Sequence, residues 1–443
     1  MKALEATAAL QFFTDVGLNK TYWLAYSGGL DSHALLHLCV QARTLSVFDL
    51  RVIHVHHGLS QYADDWAAHC RQVCAEYGVE YHQQNIDAKS TVGKSPEEVA
   101  RQRRYEVFSQ CLQPGDVLLT AHHEDDQAET VLLQLLRGAG VKGLAAMPMT
   151  KPLGQGMHAR PLLACTRAEL QKYAEQHQLR WVEDESNQNV GLTRNFLRHE
   201  VLPLLKKRWP TVTHALSRSA SHCAEALPLL ETAGNEVLQQ SLGSRAGTLS
   251  VQKLLLLDPI HQRLALRAWL HAQACPMPDT VKLQQLQHDM LTASRDSEPC
   301  LAWQDVEVRR YRDDLYVMPT LPLHDVMQTW VWDLQSPLMI PGVGCLQADR
   351  KKGQGLRADI SSVVVKFRQG GEKCHLPKRS GHHDLKKLFQ EWGVPSWQRK
   401  RIPLLYLGEK CIAVVGFFID EDYMAKEGEE GVEVNIIMKR LNI

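Results

Sequence analysis

The sequence predicts an α/β protein: a doubly wound parallel sheet first, a mainly helical middle part next, and a small mixed α/β part at the C-terminal end. Three observations predict this order. In the first 150 residues short apolar runs alternate with helical patterns, which is how a parallel sheet covered on both faces reads. A glycine-bearing turn, Ser27 to Ser32, lies between the first run and the first helical pattern. Beyond about residue 215 the alternation stops, and residues 216–295 are helical in pattern almost throughout. A chain of 443 residues exceeds one typical domain, so we expect three, at 1–215, 216–350 and 351–443.

Taken in order, Tyr22 to Tyr26, Leu50 to Val55, Val79 to Ile86 and Asp116 to Thr120 have the length and apolar content of buried strands. Between them Ser32 to Thr44, Asp64 to Tyr77 and Pro96 to Leu112 have helical spacing, the last opened by Pro96 with Glu97 and Glu98 in its first turn. A further helix is expected from about Glu124, with Leu132, Leu133 and Leu136 toward the core. Cys300 to Met318 reads as a strand pair turning at Arg312-Asp313-Asp314. A Pro- and Gly-rich passage, Pro337 to Gly355, leads to strand-like runs at Val363 to Arg368 and Cys411 to Phe418.

Composition narrows the class. The chain is 44% hydrophobic and 23% charged, which fits a folded protein and excludes a mainly disordered or collagenous one. Its eleven cysteines show no even pairing, as in a reduced intracellular chain. The longest apolar stretches fall far short of the roughly 20 residues a membrane span needs, and the first residues carry acid without an apolar leader. A cytoplasmic protein with no membrane partner is expected. Fifty Lys or Arg balance fifty Asp or Glu, which taken whole argues against a nucleic-acid partner. Taken by segment it is a cancellation. Residues 366–401 hold ten bases against three acids, 194–218 hold six against one, and 420–433 hold seven acids against Lys426. The basic segments are where a polyanion would lie.

The sharpest local feature is Ser27-Gly28-Gly29-Leu30-Asp31-Ser32. Two glycines let the backbone approach a phosphate, and the helix that follows offers free N–H donors at its positive dipole end. Ser27 and Ser32 can add hydroxyl donors, and Asp31 can hold Mg²⁺ against a polyphosphate. There is no GxxxxGK[ST], which excludes a Walker loop. Gly138 to Gly143 satisfies GxGxxG but follows a helical pattern, so it reads as a helix-ending loop. Asp126 and Glu129, three apart on the helix from Glu124, are paired carboxylates on one face. Arg194 and Arg198, four apart, can turn both guanidiniums to one phosphate or one base, and Asn187 can read a base edge or cap a turn. The histidines at 54, 56, 57, 122 and 123 have no cysteine or carboxylate at a usual zinc spacing, and His122-His123-Glu124 lacks the PCxxC of a zinc deaminase.

SGGLDS after a first strand resembles the PP-loop of the N-type ATP pyrophosphatases. Within that group His54-Val55-His56-His57-Gly58-Leu59, the helix carrying Arg101 and Arg104, and Thr120 to Thr130 are similar to the tRNA(Ile)-lysidine synthetases. So are Arg160-Pro161-Leu162, Glu183 to Asn187, Arg194 to Arg198 and, near the other end, Lys387 to Pro395. The resemblance implies a two-step reaction with ATP and Mg²⁺ on the wobble cytidine of a tRNA(Ile) bearing a CAU anticodon. ATP adenylates the base at its 2-carbonyl oxygen, and the ε-amine of free L-lysine then displaces AMP. It also implies that Ser27 to Ser32 cradle the nucleotide and that Asp126 and Glu129 belong to the active site, where they would bind the lysine ammonium and help deprotonate it. His123 is a second candidate base. Arg101, Arg104, Asn187, Arg194 and Arg198 would face the nucleotide or the RNA, and a homodimer is an admissible assembly. The proton is a real obstacle: lysine's ordinary pKa near 10.4 leaves about one amine in a thousand neutral, a deficit of roughly 4 kcal/mol. Two other readings stay open, a PP-loop tRNA thiolase, although the CxxC such enzymes use is absent, and a non-catalytic RNA-binding protein.

Overall fold

Strand β1 (Thr21–Ala25) sends Tyr22 and Leu24 to one side and Trp23 to the other, and each set meets its own apolar layer. In this computed structural model, which describes residues 4–58, 60–87, 96–185, 189–294, 297–376 and 381–437, β1 is central to a six-stranded sheet ordered β3-β2-β1-β4-β6-β5. The chain divides into two units, Met1–Leu230 and Glu231–Ile443.

The first unit runs α1 (Ala6–Val16), β1, α2 (Leu30–Leu45), β2 (Asp49–His56), α3 (Ala63–Glu76), β3 (Glu80–Asn85), α4 (Pro96–Cys111), β4 (Val117–Leu119), α5 (Glu124–Leu136), α6 (Val141–Leu144), β5 (Thr150–Leu153), β6 (Gly156–Ala159), α7 (Arg167–Gln176), α8 (Thr193–Phe196), a π turn (Leu197–Val201), α9 (Leu202–Arg208) and α10 (Val212–Gln240), within which the division falls. Tyr22 and Leu24 join Phe13 of α1, Leu35 and Leu38 of α2, Cys70 and Cys74 of α3 and Leu170 of α7 in one core. Trp23 joins Ile53, Leu118, Phe108 of α4 and Leu112 just after that helix in the other. Both faces of the sheet are therefore covered, as a parallel sheet requires.

Strands β1, β2, β3, β4 and β6 pair in parallel. The expected strands and helices of this part all form. The edge strand β5 runs antiparallel to β6, an addition to the expected parallel sheet, and the turn between them uses Gly154 at φ +57°. The GxGxxG run ends α5 and leads into the single turn α6, with no strand before it. Strand order reverses at β1: the chain moves outward through β2 and β3, then returns to place β4 on β1's other side. The carboxyl ends of β1 and β4 thus flank the topological switch point, where open α/β sheets bind ligands.

In the second unit β7 (Leu249–Ser250), α11 (Val251–Leu255), α12 (Pro259–Ala272), α13 (Thr280–Thr292), β8 (Cys300–Trp303), β9 (Val306–Tyr311) and β10 (Asp314–Pro319) share one core around the buried Trp269. The expected strand pair is thus a three-stranded meander extended by β7. Its extra turn is at Gln304, φ +50°, which carries no glycine to announce it. The rest comprises β11 (Trp330–Trp332), β12 (Leu338–Ile340), β13 (Gly344–Lys352), β14 (Leu356–Arg357), β15 (Val363–Lys366), β16 (Lys373–His375), β17 (His382–Asp384), α14 (Leu385–Glu391), α15 (Ser396–Arg399), β18 (Leu404–Leu407), β19 (Lys410–Val414), β20 (Phe418–Ile419) and β21 (Glu430–Ile437). The positions expected as boundaries both lie inside regular elements, 215 in α10 and 350 in β13. Every residue from Cys345 to Lys352 pairs with β21, so the change of core comes earlier, between β10 and β11.

Candidate active site

Gly28 leaves β1 at φ +83°, and a Cβ there would come within 2.8 Å of Val182 Cγ2 and 2.9 Å of Cys70 Sγ. Only glycine fits both the backbone and the space. Gly29 then caps α2 in extended conformation. The Ser27 and Ser32 hydroxyls are 3.0 Å apart, Ser32 Oγ donates to Gly29 O at 3.0 Å, and Val182 N–H donates to Gly28 O at 3.0 Å. The loop is thereby fixed in shape, with the first-turn N–H groups of a 16-residue helix at its floor. Asp31, in that first turn, has one carboxylate oxygen, Oδ1, buried with no hydrogen-bond partner among the described residues.

Across the switch point, α5 begins with a reciprocal cap: Asp126 N–H donates to His123 Nδ1 at 3.3 Å and His123 N–H donates to Asp126 Oδ2 at 3.1 Å. With Nδ1 accepting, the ring proton is on Nε2, which faces Asp126 Oδ2 at 3.4 Å and Asp31 Oδ2 at 3.6 Å. His123 is the link between the two strand ends. Burial disfavours its charge, but the Asp31 hydrogen bond and the Asp126, Asp31 and Asp125 carboxylates outweigh that, and its pKa is raised.

Asp126 and Glu129 do share a face, and so do Arg194 and Arg198; the structure brings the two pairs together. Arg194 Nε donates to Glu129 Oε2 at 2.6 Å and its Nη2 to Asp126 Oδ1 at 2.9 Å. Arg198, in the π turn, donates from Nε to Glu129 Oε1 at 2.6 Å and from Nη2 to Asp126 Oδ1 at 3.0 Å. Glu129 is fully buried. Two charges of each sign therefore meet beside the sheet end. Burial alone would raise Asp126, yet His123, Arg194, His122 and Arg198 bring it down to about 2. Two further acids of the same turn reach the same downstream segment: Asp125 Oδ1 accepts from Lys206 Nζ at 2.7 Å, and Glu124 Oε1 lies 2.9 Å from His214 Nδ1.

A second polar chain crosses from β6 to β4. Arg160 Nη2 lies 3.2 Å from His158 Nδ1, His158 Nε2 lies 2.8 Å from Thr120 Oγ1, and Thr120 Oγ1 lies 2.7 Å from His122 Nδ1. Arginine can only donate, so the direction of every bond follows. His158 accepts at Nδ1 and donates from Nε2, Thr120 donates to His122 Nδ1, and the His122 proton is left on Nε2. Burial holds both rings neutral, His158 near 2 and His122 near 3. No spacing rule in the sequence indicates this chain, and Arg160 stands out there only within Arg160-Pro161-Leu162.

Arg101 and Arg104 are on α4, where the Arg101 guanidinium lies 5.5 Å from the Tyr105 ring centroid, and burial followed by Arg101's charge lowers Arg104. Asn187 lies outside the described residues. His54, first of the strand-end histidines, is buried with Nδ1 donating to Tyr26 O at 2.8 Å, so it serves the loop's approach.

A phosphate cradle and an acidic helix start, joined through His123 at a switch point, define an ATP pyrophosphatase of the PP-loop class, and residues 2–205 match the family model described as PP-loop domain. Residues 249–316 and 363–436 match the models described as TilS substrate binding domain and TilS substrate C-terminal domain. The chain is 45% identical over 430 residues to the tRNA(Ile)-lysidine synthase of Coxiella burnetii, covering 96% of this chain and 95% of that one. It is 41% identical over 423 residues to the tRNA(Ile)-lysidine synthase of Methylococcus capsulatus, covering 94% and 95%. The chain belongs to the tRNA(Ile)-lysidine synthase family.

Proposed function

We propose that this enzyme forms lysidine on tRNA(Ile) at the expense of ATP, at the switch point of the first sheet. The observation that carries the reading is the junction His123 makes between the phosphate loop and the α5 carboxylates, in a chain that follows its relatives over nearly their whole length. In the first step the cytidine 2-oxygen attacks the α-phosphorus of ATP and pyrophosphate leaves. Backbone N–H groups of Gly28 to Ser32 and the Ser27 and Ser32 hydroxyls would receive the leaving phosphates. The buried Oδ1 of Asp31, without a hydrogen-bond partner among the described residues, is a hard oxygen donor beside that loop, which suits Mg²⁺. When bound there the ion would offset phosphate charge.

In the second step the lysine ε-amine attacks C2 and AMP departs with the former 2-oxygen. Asp126 and Glu129 take up the ammonium in this reading, by sharing or displacing the guanidiniums that now engage them. Asp126 Oδ1 already accepts from both arginines, whereas its Oδ2 faces His123 alone. A carboxylate near pKa 2 attracts a cation well and removes its proton poorly, so Asp126 binds the ammonium and the deprotonation falls to another group. Arg194 and Arg198, once released, would face the AMP phosphate or the base, with Arg101 and Arg104 toward the RNA.

The thiolase reading has less support. Cys70, the cysteine beside the loop, is pushed by burial up to about 12 and stays protonated. No helix among the described residues is long and apolar enough to cross a membrane, and a cytoplasmic site of action, with a homodimer as the assembly to look for, completes the proposal.

The test is incubation with ATP, Mg²⁺, labelled lysine and tRNA(Ile) bearing CAU. Lysine-dependent label on the tRNA with AMP release is expected. AMP release with no lysine transfer would overturn the reading. Asp31→Ala should abolish adenylation, and Glu129→Ala should lose lysine transfer; full transfer in the latter would remove the carboxylate pair from the amine site.

A further inference from the structure

Beside the Arg160 end of the polar chain that runs to His122, and apart from the phosphate loop, lies a cavity of about 270 Å³ lined by Arg101, Tyr105, Met147, Pro148, Lys151 and Arg160. Three cations and no carboxylate line it among the described residues. Arg160 is almost wholly buried; its Nη1 donates to Pro148 O at 2.7 Å and its Nη2 to His158, while its Nε has no partner among the described residues. Arg101 and Lys151 both lie against Tyr105, 5.5 and 5.6 Å from its ring centroid, so that ring is already engaged by cations. Arg160 is buried, Lys151 half-buried and Arg101 exposed; three like charges facing one cavity repel one another, and an anion bound there would relieve that repulsion. Burial, then Arg160, then Arg101 lower the Lys151 pKa.

We infer that this cavity is a second phosphate site, which binds a backbone phosphodiester of the RNA substrate close to the nucleotide being modified. The ligand chemistry is that of a phosphate group, and the position selects the RNA as its source. ATP's phosphates have their own cradle at the end of β1, on the far side of β4 from β6. The cavity instead joins the acidic start of α5 through Arg160, His158, Thr120 and His122, a path confined to the carboxyl ends of β4 and β6 and the residues just after them. A base held at the switch point would carry its neighbouring phosphodiester toward this edge, where the phosphate would order Arg160 and with it the donor on His122. The inference rests on the lysidine reading and adds to it a residue, Lys151, that nothing else in the site requires.

The test compares wild type, Lys151→Gln and Lys151→Arg for tRNA affinity across a salt series, for lysidine formation and for KM of ATP. Lys151→Gln should weaken tRNA binding by about tenfold, the value of one charged hydrogen bond. Its log–log salt slope should become shallower by about 0.7, the loss of one phosphate contact to single-stranded RNA. Lys151→Arg, which keeps the charge, should restore the slope. An unchanged slope in Lys151→Gln would overturn the inference. So would a raised KM for ATP at an unchanged slope, which would give the cavity to the nucleotide. Because wild type is measured for lysidine formation in the same series, failure of the parent reading would be seen there, separately from any effect of Lys151.

Discussion

At the scale of single residues, Gly28 is constrained both by its backbone and by its surroundings. Its positive φ costs an L-residue on the order of 1 kcal/mol, and the two side chains that a Cβ would meet belong to different elements. An added methyl must move Val182 or Cys70, and both line the loop. Gly28→Ala should therefore raise KM for ATP about tenfold or more while lowering thermal stability by about 1–3 kcal/mol; an unaltered KM would mean that the loop's shape is not what holds the phosphates. His123 shows how single side chains can hide their role. As the residue before an acidic helix start it reads as a base, yet its Nδ1 is committed to the Asp126 N–H and its proton points between two carboxylates. In the structure it bridges the ends of the two strands.

At the scale of elements, α5 and the 193–214 stretch are joined acid to base: Asp126 and Glu129 to Arg194 and Arg198, Asp125 to Lys206, Glu124 to His214. Asp126 gives this junction a pH dependence with a definite sign. Its folded pKa of about 2 is below the ordinary value of 3.8, so its contribution is full above about pH 4 and is lost as pH falls toward 2. The size is about 2 kcal/mol. Denaturant midpoints of wild type should fall over that interval more steeply than those of Asp126→Asn, and parallel curves would refute the assignment. Spacing alone made both halves of this junction legible, i,i+3 for the acids and i,i+4 for the arginines. Their meeting was not legible, because the partners are separated by 65 to 72 residues and no local rule couples them. The parallel strands were readable for the same local reason, as continuous apolar runs. The β5–β6 hairpin and the turn at Gln304 were not, the first because its strands are four residues long and half polar, the second because it lacks glycine.

At the scale of the whole molecule the neutral total conceals basic segments, and the strongest is 366–401. Its aromatics are structural: Phe389 and Trp397 are buried and Trp392 stacks on Phe417, with centroids 5.1 Å apart. Several of its cations face outward: Lys387 is largely exposed, and Lys373, Lys386 and Lys400 are exposed too. Lys386→Glu with Lys387→Glu should weaken tRNA binding several-fold with a shallower salt slope and leave KM for ATP unaltered, as measured by titration in a salt series; unaltered tRNA affinity would place the RNA elsewhere. The pairing of β13 with β21 has a consequence in time. All six strands of the first sheet lie between residues 21 and 159, so that sheet can close while the ribosome is still making the remainder. The last sheet cannot: Cys345 waits for Ile437, and β14 also depends on β21. During synthesis the nucleotide-binding sheet would thus be complete long before the final sheet, leaving a nascent chain with an assembled phosphate loop and an unfinished basic end.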